Sequence, residues 1–106
     1  MNLYMKFIEL SNRVEFECDD SCISLLNEIA LAESQGACLT VTKVMALTAI
    51  ASPATIHRRL DMLIDSGYVA HAFKAQDRRT KLLITTSKCS NYFKDLEKCL
   101  LHSTRS

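Results

Sequence analysis

Residues 52–69 read SPATIHRRLDMLIDSGYV, a stretch with the start, the apolar stripe and the end of one amphipathic helix. Ser52 can cap the free N–H groups of a helix start, and Pro53 suits the first helical position. Gly67 stands where a left-handed residue commonly ends a helix. Between these signals, apolar side chains recur at the spacing of one helical face: Ile56, Leu60, Leu63 and Ile64. The stretch therefore predicts a helix over residues 52–66.

The polar face of this helix has the residue types of a surface that reads DNA. Small side chains at Ala54 and Thr55 allow close approach, and Thr55 and His57 can hydrogen-bond. Arg58 can reach a phosphate or a guanine edge. An ordinary surface helix with two arginines would show the same pattern, so the surrounding sequence has to decide between these interpretations.

The sequence before Ser52 predicts a partner helix. Thr40 can cap a brief helix that runs through Leu47. Residues 48–51 are enough only for a turn, in which we expect Ile50 to reach the core. Two short helices separated by about four residues form a helix-turn-helix pattern.

Two strands with a basic connection follow the glycine. Val69, His71 and Phe73 alternate with smaller or polar residues, and residues 82–85 alternate as well, which predicts a hairpin. The polar segment KAQDRRTK, residues 74–81, forms its predicted tip. A basic hairpin after a recognition helix is a wing, whose arginines can lie in the minor groove or on phosphate.

Helical patterns flank this central part on both sides. Residues 2–13 and 19–34 predict two N-terminal helices. The segment between them, residues 12–18, fits either a short strand or a linker. A C-terminal helix is predicted over residues 87–103, and its apolar face consists of Cys89, Tyr92, Phe93, Leu96 and Leu100.

Length and composition fit one domain. The chain has 106 residues, 48% of them hydrophobic and 24% charged, which is typical of a globular protein with one core. We expect a single domain over residues 1–106, with N-terminal helices in 1–35, helix-turn-helix and wing in 39–86, and a dimerising helix in 87–103. No apolar run approaches the roughly 20 residues of a membrane span, and the N-terminus lacks a secretory pattern. We therefore expect a cytoplasmic protein with no membrane partner.

The charges are unevenly distributed along the chain. The net charge is only +1, but residues 1–35 hold seven acidic and two basic side chains. Residues 57–88 hold seven basic and three acidic side chains. This separation predicts a molecule with one face for a polyanion.

Two motifs of the chain have the pattern of a known family. Residues 52–69 match a recognition-helix pattern, and Asp77, Arg78 and Arg79 match a wing motif of an aspartate followed by two basic residues. Together they resemble the winged-helix domain of the MarR family of bacterial transcription regulators, and the resemblance covers residues 39–88. It implies a mainly α fold with a small β-hairpin wing (α+β), a winged helix-turn-helix.

The resemblance also implies a function. A bacterial homodimer of this kind would regulate transcription by sequence-specific binding of double-stranded DNA, with helix 52–66 in the major groove and wing 74–81 on backbone or minor groove. Either Arg78 or Arg79 would reach the minor groove, and Asp77 would hold the wing together. The predicted DNA-binding residues are Ser52, Ala54, Thr55, His57, Arg58, Arg59, Lys74, Arg78, Arg79 and Lys81. The family's terminal helices are usually longer and frame an effector pocket, and no particular effector is indicated here.

Two other classes of function compete with DNA binding. A winged helix can also be a protein–protein interaction module without a specific DNA target, docking a partner on the acidic N-terminal face. Cations on both recognition helix and wing favour DNA. An enzyme is not expected, because two glycines cannot supply a phosphate-binding loop and no nucleophile–base or carboxylate-pair signature is present. No cofactor is predicted.

The five cysteines are scattered, with an odd number and no C-x-x-C pair: Cys18, Cys22, Cys38, Cys89 and Cys99. We expect reduced thiols, several of them buried as small hydrophobic side chains. Cys18 and Cys22 could supply two metal ligands, but no second pair follows at zinc-binding spacing, so no metal site is predicted. Redox sensing through Cys18, Cys22 or Cys38 would require exposed, reactive thiols.

Overall fold

The computed structural model describes residues 2–74 and 77–105, and for Lys74, Asp77 and Arg78 it describes only the backbone. A short 3-10 helix, Asp20–Cys22, precedes the second helix. The order of the other elements is α1 (Leu3–Ser11), α2 (Ile23–Ser34), α3 (Val41–Met45), α4 (Pro53–Asp65), β1 (Val69–Lys74), β2 (Asp77–Thr85) and α5 (Ser87–Ser103). The mainly helical fold with one hairpin is therefore confirmed. No helix in the described ranges is long and apolar enough to cross a membrane.

The ends of the central helices follow the signals in the sequence. The Ser52 hydroxyl accepts the Thr55 N–H at 3.4 Å and so caps the start of α4. Gly67 ends this helix in the left-handed conformation, with φ of 86°. The following N–H, that of Tyr68, then donates to the Leu63 carbonyl at 3.0 Å, which satisfies one of the free carbonyl groups of the helix end. Gly36, with φ of 76°, ends α2 in the same way.

The turn of the helix-turn-helix is longer than predicted. Thr40 caps α3 as expected by accepting the Lys43 N–H at 3.1 Å. The helix ends at Met45, however, so seven residues and not about four separate α3 from α4. The expectation for Ile50 was wrong: it is half-buried and outside the core cluster, whereas Ala51 packs against that cluster. Tight i→i+3 backbone bonds wind the chain after α3, and one of them joins the Ile50 N–H to the Leu47 carbonyl.

The wing hairpin is longer and its tip shorter than predicted. β1 and β2 pair antiparallel from Val69 opposite Thr85 to Phe73 opposite Lys81, and after a register shift Lys74 lies opposite Asp77. Six of the eight residues of the predicted tip, 74–81, therefore lie within the two strands, and residues 75 and 76 lie outside the described residues. The segment before α3 pairs with the hairpin, because the Leu83 N–H donates to the Leu39 carbonyl at 2.8 Å.

One hydrophobic core joins α2, α4, the hairpin and α5. The inner stripe of α4 is buried in it, as the periodicity predicted. The members of the core are Cys22, Leu25, Leu26, Ile29, Val44, Ile56, Leu60, Leu63, Tyr68, Val69, Leu83, Cys89 and Tyr92. Burying an aliphatic or aromatic side chain contributes roughly 1.5–3 kcal/mol, so this face of α4 is held by the interior and its opposite face remains outside.

Residues 12–19, hereafter the linker, form turns and no strand, which decides between the two alternatives for this segment. Phe16 packs between two core tyrosines, with ring centroids 4.8 Å from Tyr68 and 4.7 Å from Tyr92. The Glu17 N–H donates to the Tyr68 hydroxyl at 2.9 Å. The Lys88 ammonium group pairs with the Glu17 carboxylate and also donates to a carbonyl at the end of α4. The linker is thereby tied to the region where the predicted recognition helix ends.

Candidate nucleic-acid interface

The first half of α4 turns a polar face outward. Ala54, His57 and Arg58 are exposed, whereas Ile56 and Leu60 are buried. This division follows from the 3.6-residue period, since the apolar positions occupy one stripe of the helix. The outward face matches the one that the sequence predicted to read DNA.

The start of α4 orders two of the predicted contact residues before any ligand binds. The exposed Ser52 hydroxyl donates to the Thr55 hydroxyl oxygen at 3.0 Å while it accepts the Thr55 N–H. The Thr55 proton remains able to donate to an external acceptor, because its oxygen is the acceptor in that bond. Thr55 is half-buried, so only part of its surface faces outward.

Three consecutive side chains in the middle of α4, those of His57, Arg58 and Arg59, differ in their exposure and in their partners. His57 Nδ1 lies 3.3 Å from Asp61 Oδ2, and both side chains are exposed. Arg58 is exposed and makes no hydrogen bond or ion pair with the chain described, residues 2–74 and 77–105. Arg59 is half-buried beside Asp19, and the pKa of that carboxyl group lies below its ordinary value, mainly because of hydrogen bonds from Ser21 and in part because of the Arg59 charge. His57 and Arg58 are thus exposed on the outer face, whereas Arg59 is half-buried and its charge acts on the linker carboxylate.

A groove between α4 and the hairpin, hereafter the α4–wing groove, brings helix and wing residues together. His57 lines it on the helix side, and Arg79 and Lys81 line it on the strand side. Both cationic residues are exposed. The remaining lining residues are Thr40, Val41, Thr42, Leu60, Asp61, Ile64, His71 and Thr80. One surface therefore carries predicted contacts from both elements, although these elements are separate in the sequence.

Three predicted wing residues have no described side chain. The backbones of Lys74, Asp77 and Arg78 lie in the paired strands, but their side chains are outside the described part of the chain. A DNA contact through Lys74 or Arg78, and a wing held together by Asp77, stay predictions.

The geometry adds three residues that the sequence analysis did not include. Thr42 in α3 and His71 in β1 line the α4–wing groove, and Lys43 is exposed in α3. The signal for Lys43 was present, because a polar pair follows the Thr40 cap in the first helix of the motif. Lys43 lies outside the basic stretch of residues 57–88, so the charge pattern along the sequence does not reveal it.

The cysteines divide into two buried and three half-buried thiols. Burial raises the pKa of Cys22 to about 12, and a hydrogen bond with the Cys18 thiol contributes to the rise. Burial likewise raises the pKa of Cys89 to about 11. In the residues the structure describes, no group of three or more His, Cys, Asp or Glu side chains could hold a metal ion.

Solved structures with the same arrangement are known. A transcriptional regulator, Tm0710 from Thermotoga maritima, aligns with a TM-score of 0.69 and 16% identity over 93% of this chain and 67% of its own. The YusO protein from Bacillus subtilis aligns with a TM-score of 0.60 and 15% identity over 94% and 66%, respectively. A MarR transcriptional regulator from Methanosarcina mazei Go1 aligns with a TM-score of 0.61 and 18% identity over 96% of this chain and 71% of its own. The fold is that of a MarR-like winged helix.

The MarR-like comparison concerns three-dimensional structure, and the sequence has diverged far from it. No protein-family model matches this chain, and no curated protein sequence matches it. The chain spans between 66% and 71% of the length of the three solved structures, so part of each has no counterpart in it. The resemblance in the sequence is therefore confirmed at the level of the MarR-like fold.

Proposed function

We propose that this chain is a sequence-specific regulator of transcription that binds double-stranded DNA in the bacterial cytoplasm. The observation that carries the proposal is the α4–wing groove, where His57 on the helix and Arg79 and Lys81 on the strand share one surface beside the exposed Arg58. Two of the three solved structures with this fold are described as transcriptional regulators. A module that binds only protein has no need for cations on both elements.

In this proposal, α4 enters the major groove with its first two turns. The major groove is about 12 Å wide and admits one helix, whose small residues permit close approach to base edges. Ala54 supplies that small surface, Thr55 and His57 donate or accept hydrogen bonds, and Arg58 contacts a guanine edge or a phosphate. Asp61 orients His57 through their 3.3 Å contact. Sequence recognition therefore rests on side chains that the core leaves free.

The wing supplies contacts that hold the helix in register. Arg79 and Lys81 lie on the strand that borders α4, so a duplex entering the groove meets both cations. Contacts with phosphate position a protein on DNA without reading its sequence. The exposed Lys43 of α3 lines a neighbouring pocket that shares Thr40 and Thr80 with the groove, and so adds a third cation near it. Arg59 is half-buried whereas Arg58 is exposed, so we rank a DNA contact by Arg59 below one by Arg58.

The chain is further proposed to act as a homodimer through its terminal helices. α1 packs against α5, yet both helices expose large apolar side chains. The exposed fractions are 58% for Leu3, 69% for Tyr4, 50% for Met5, 53% for Leu100 and 53% for Leu101. Large apolar side chains left exposed on two packed helices favour an interaction site, and a second copy would cover them with a symmetric patch. Two recognition helices would then read half-sites about 10 bp apart, or a multiple of this spacing.

Selection of bound sequences from a random DNA pool at physiological salt tests the DNA-binding proposal. We expect enrichment of a pseudo-palindrome, since a symmetric dimer reads two copies of one half-site. A pool that remains random after several rounds would contradict sequence-specific binding. The interaction module that docks a protein on the acidic N-terminal face would then be the better explanation.

Light scattering tests the dimer independently of DNA. We expect the parent chain to be a dimer at tens of micromolar and Leu100→Glu to be a monomer. Phe73→Glu is the matched control, because Phe73 is equally exposed, at 56%, but lies on the hairpin. Dissociation by the Phe73 variant but not by the Leu100 variant would place the interface elsewhere.

A further inference from the structure

The wing hairpin exposes an aromatic side chain outside the core. Phe73 lies in β1 with most of its ring accessible, and it does not belong to the core cluster. Within the part of the chain that the structure describes, its ring stacks on no other aromatic ring. A single exposed apolar residue is common on protein surfaces, so its surroundings have to decide whether it has a role.

The register of the hairpin places Phe73 on the face that borders α4. Side chains alternate along a strand, so Val69, His71 and Phe73 share one face of β1. Leu83 and Lys81 lie directly opposite His71 and Phe73 and therefore share this face. Val69 and Leu83 are buried in the core, whereas His71 and Lys81 line the α4–wing groove. The face thus runs from core to groove, and Phe73 continues it two residues, or roughly 7 Å, beyond His71.

Two exposed cations lie on the strand beside Phe73. Lys81 is its partner across the ladder, and the register shift after this pair leaves residues 78–80 as extra residues of β2. Arg79 is the middle one of them and lines the α4–wing groove together with Lys81. A bulge of this kind bends a strand and re-aims its side chains. The outer part of the hairpin therefore presents an apolar ring beside positive charge.

We propose that Phe73 inserts into the minor groove of the bound duplex, partly unstacks one base step and kinks the DNA there. Proteins that bind the minor groove commonly combine cations with an apolar side chain wedged between base steps. Neighbouring strands lie about 4.8 Å apart, and the minor groove is about 6 Å wide. With the Phe73 ring in the groove, Lys81 therefore meets the phosphates of one groove wall. The proposal rests on the proposed function, because it places α4 in the adjacent major groove.

The insertion gives the wing a sequence preference without a hydrogen bond to a base. Unstacking is easiest at the flexible pyrimidine–purine steps TA and CA/TG. The minor groove that adjoins the major-groove site is centred about half a helical turn, or roughly 5 bp, from it. A selected DNA should therefore carry a flexible step at about this distance from the centre of the half-site that α4 reads.

Selection from a random DNA pool with parent and Phe73→Ala tests this preference. Both chains should enrich the same half-site, because α4 is unchanged, but only the parent should enrich the flexible step. Leu31→Ala is the matched control and should select like the parent, since Leu31 is similarly exposed but lies on α2, outside the α4–wing groove. Enrichment of the step by Phe73→Ala as strong as by the parent would overturn the proposal.

The insertion itself is measured on the selected duplex. An adenine of the flexible step is replaced by 2-aminopurine, whose fluorescence rises when it is unstacked, and dyes at the two ends report a kink by energy transfer. The parent should raise the fluorescence and bend the duplex by at least about 20°. Phe73→Ala should do neither and should bind roughly 5- to 150-fold more weakly, the range for loss of an aromatic–base contact. Phe73→Leu, which keeps an apolar wedge, should retain part of the kink.

The salt dependence separates a direct contact from a general disturbance of the wing. Phe73→Ala removes no charge, so the slope of log affinity against log salt should stay that of the parent. A flatter slope would mean that the variant displaces the wing cations, and it would overturn the insertion. A parent that binds no DNA would refute the proposed function and the insertion with it. A parent that binds selected DNA, with affinity, fluorescence and bend unchanged in Phe73→Ala, would refute the insertion alone.

Discussion

Replacing Arg58 by alanine should separate DNA reading from folding. The side chain is exposed and makes no hydrogen bond or ion pair within residues 2–74 and 77–105. The free energy of unfolding should therefore change by no more than about 0.5 kcal/mol. For a domain of about this size, that corresponds to a shift in Tm of less than roughly 4 °C. If Arg58 contacts a guanine edge, the variant should lose about 1–3 kcal/mol of discrimination, or roughly 5- to 150-fold.

A second variant, Arg58→Lys, distinguishes a base contact from a phosphate contact. Lysine keeps the charge but lacks the planar pair of donors that matches a guanine edge. A guanine contact predicts that lysine discriminates between DNA sequences as poorly as alanine. A phosphate contact predicts that alanine weakens all sequences alike and that lysine restores most of the affinity.

Leu63→Ala is the contrasting control on the same helix. Leu63 has no exposed surface, so its truncation should cost about 2–5 kcal/mol of stability and lower Tm by roughly 10–40 °C. Its DNA affinity should fall only in proportion to the unfolded fraction. Fluorescence anisotropy titration with selected and shuffled DNA, beside thermal melting, measures both quantities. A folded Arg58→Ala that binds every DNA like the parent would refute the assignment of α4 as the reading helix.

Three other changes test the wing and the contacts behind the reading helix. Arg79→Ala with Lys81→Ala should reduce the slope of log affinity against log salt by about 1.8, at about 0.9 per phosphate contact, and an unchanged slope would mean that this strand does not touch DNA. The pKa of Lys88 is raised above its ordinary value of 10.5, chiefly by its hydrogen bond to Glu17, so the stability that this contact supplies should be lost as pH rises through the raised pKa. Lys88→Met should therefore melt at a lower temperature than the parent at neutral pH and should not show this loss at alkaline pH. Glu33→Gln should lower the free energy of unfolding by about 1–3 kcal/mol in chemical denaturation, because the Glu33 carboxylate accepts from the Thr85 N–H at 2.6 Å and from the Thr85 hydroxyl at 3.1 and 3.3 Å. Glu28 is exposed on the same helix, so Glu28→Gln should leave the stability unchanged.

The central motif was predictable because its signals are local. A capping hydroxyl at Ser52, a proline beside it and a glycine at position 67 set the ends of α4 within a few residues of sequence. The apolar stripe then determined which face became buried. The start of α5 is also set by a local cap, because the Thr86 hydroxyl accepts the Cys89 N–H at 3.4 Å. Period and capping depend on neighbouring residues, so the sequence contains them directly.

The direction of Arg59 could not be read from such signals. Arg58 and Arg59 are adjacent, and one helical step of about 100° turns one to the outer face and the other toward the linker. The partner that defines the second direction, Asp19, is in a different segment. The α4–wing groove could not be predicted from local signals either, because Arg79 and His57 come to line one groove only when the hairpin folds back beside the helix.

The conformation of the linker also depends on contacts with residues that are distant in the sequence. Its alternation at Val14, Phe16 and Cys18 fits a strand, but a strand needs a partner edge. Instead, Phe16 inserts between the rings of Tyr68 and Tyr92, and the Tyr68 hydroxyl accepts a backbone N–H from the linker. Tyr68 follows the glycine that ends α4, and its N–H donates to the Leu63 carbonyl, so the residue whose hydroxyl holds the linker also closes the end of this helix through its backbone. In the proposed DNA complex, the orientation of the outward-facing side chains of α4 therefore depends on a segment that supplies none of the proposed contacts, and changes in that segment should alter DNA affinity without removing a contact.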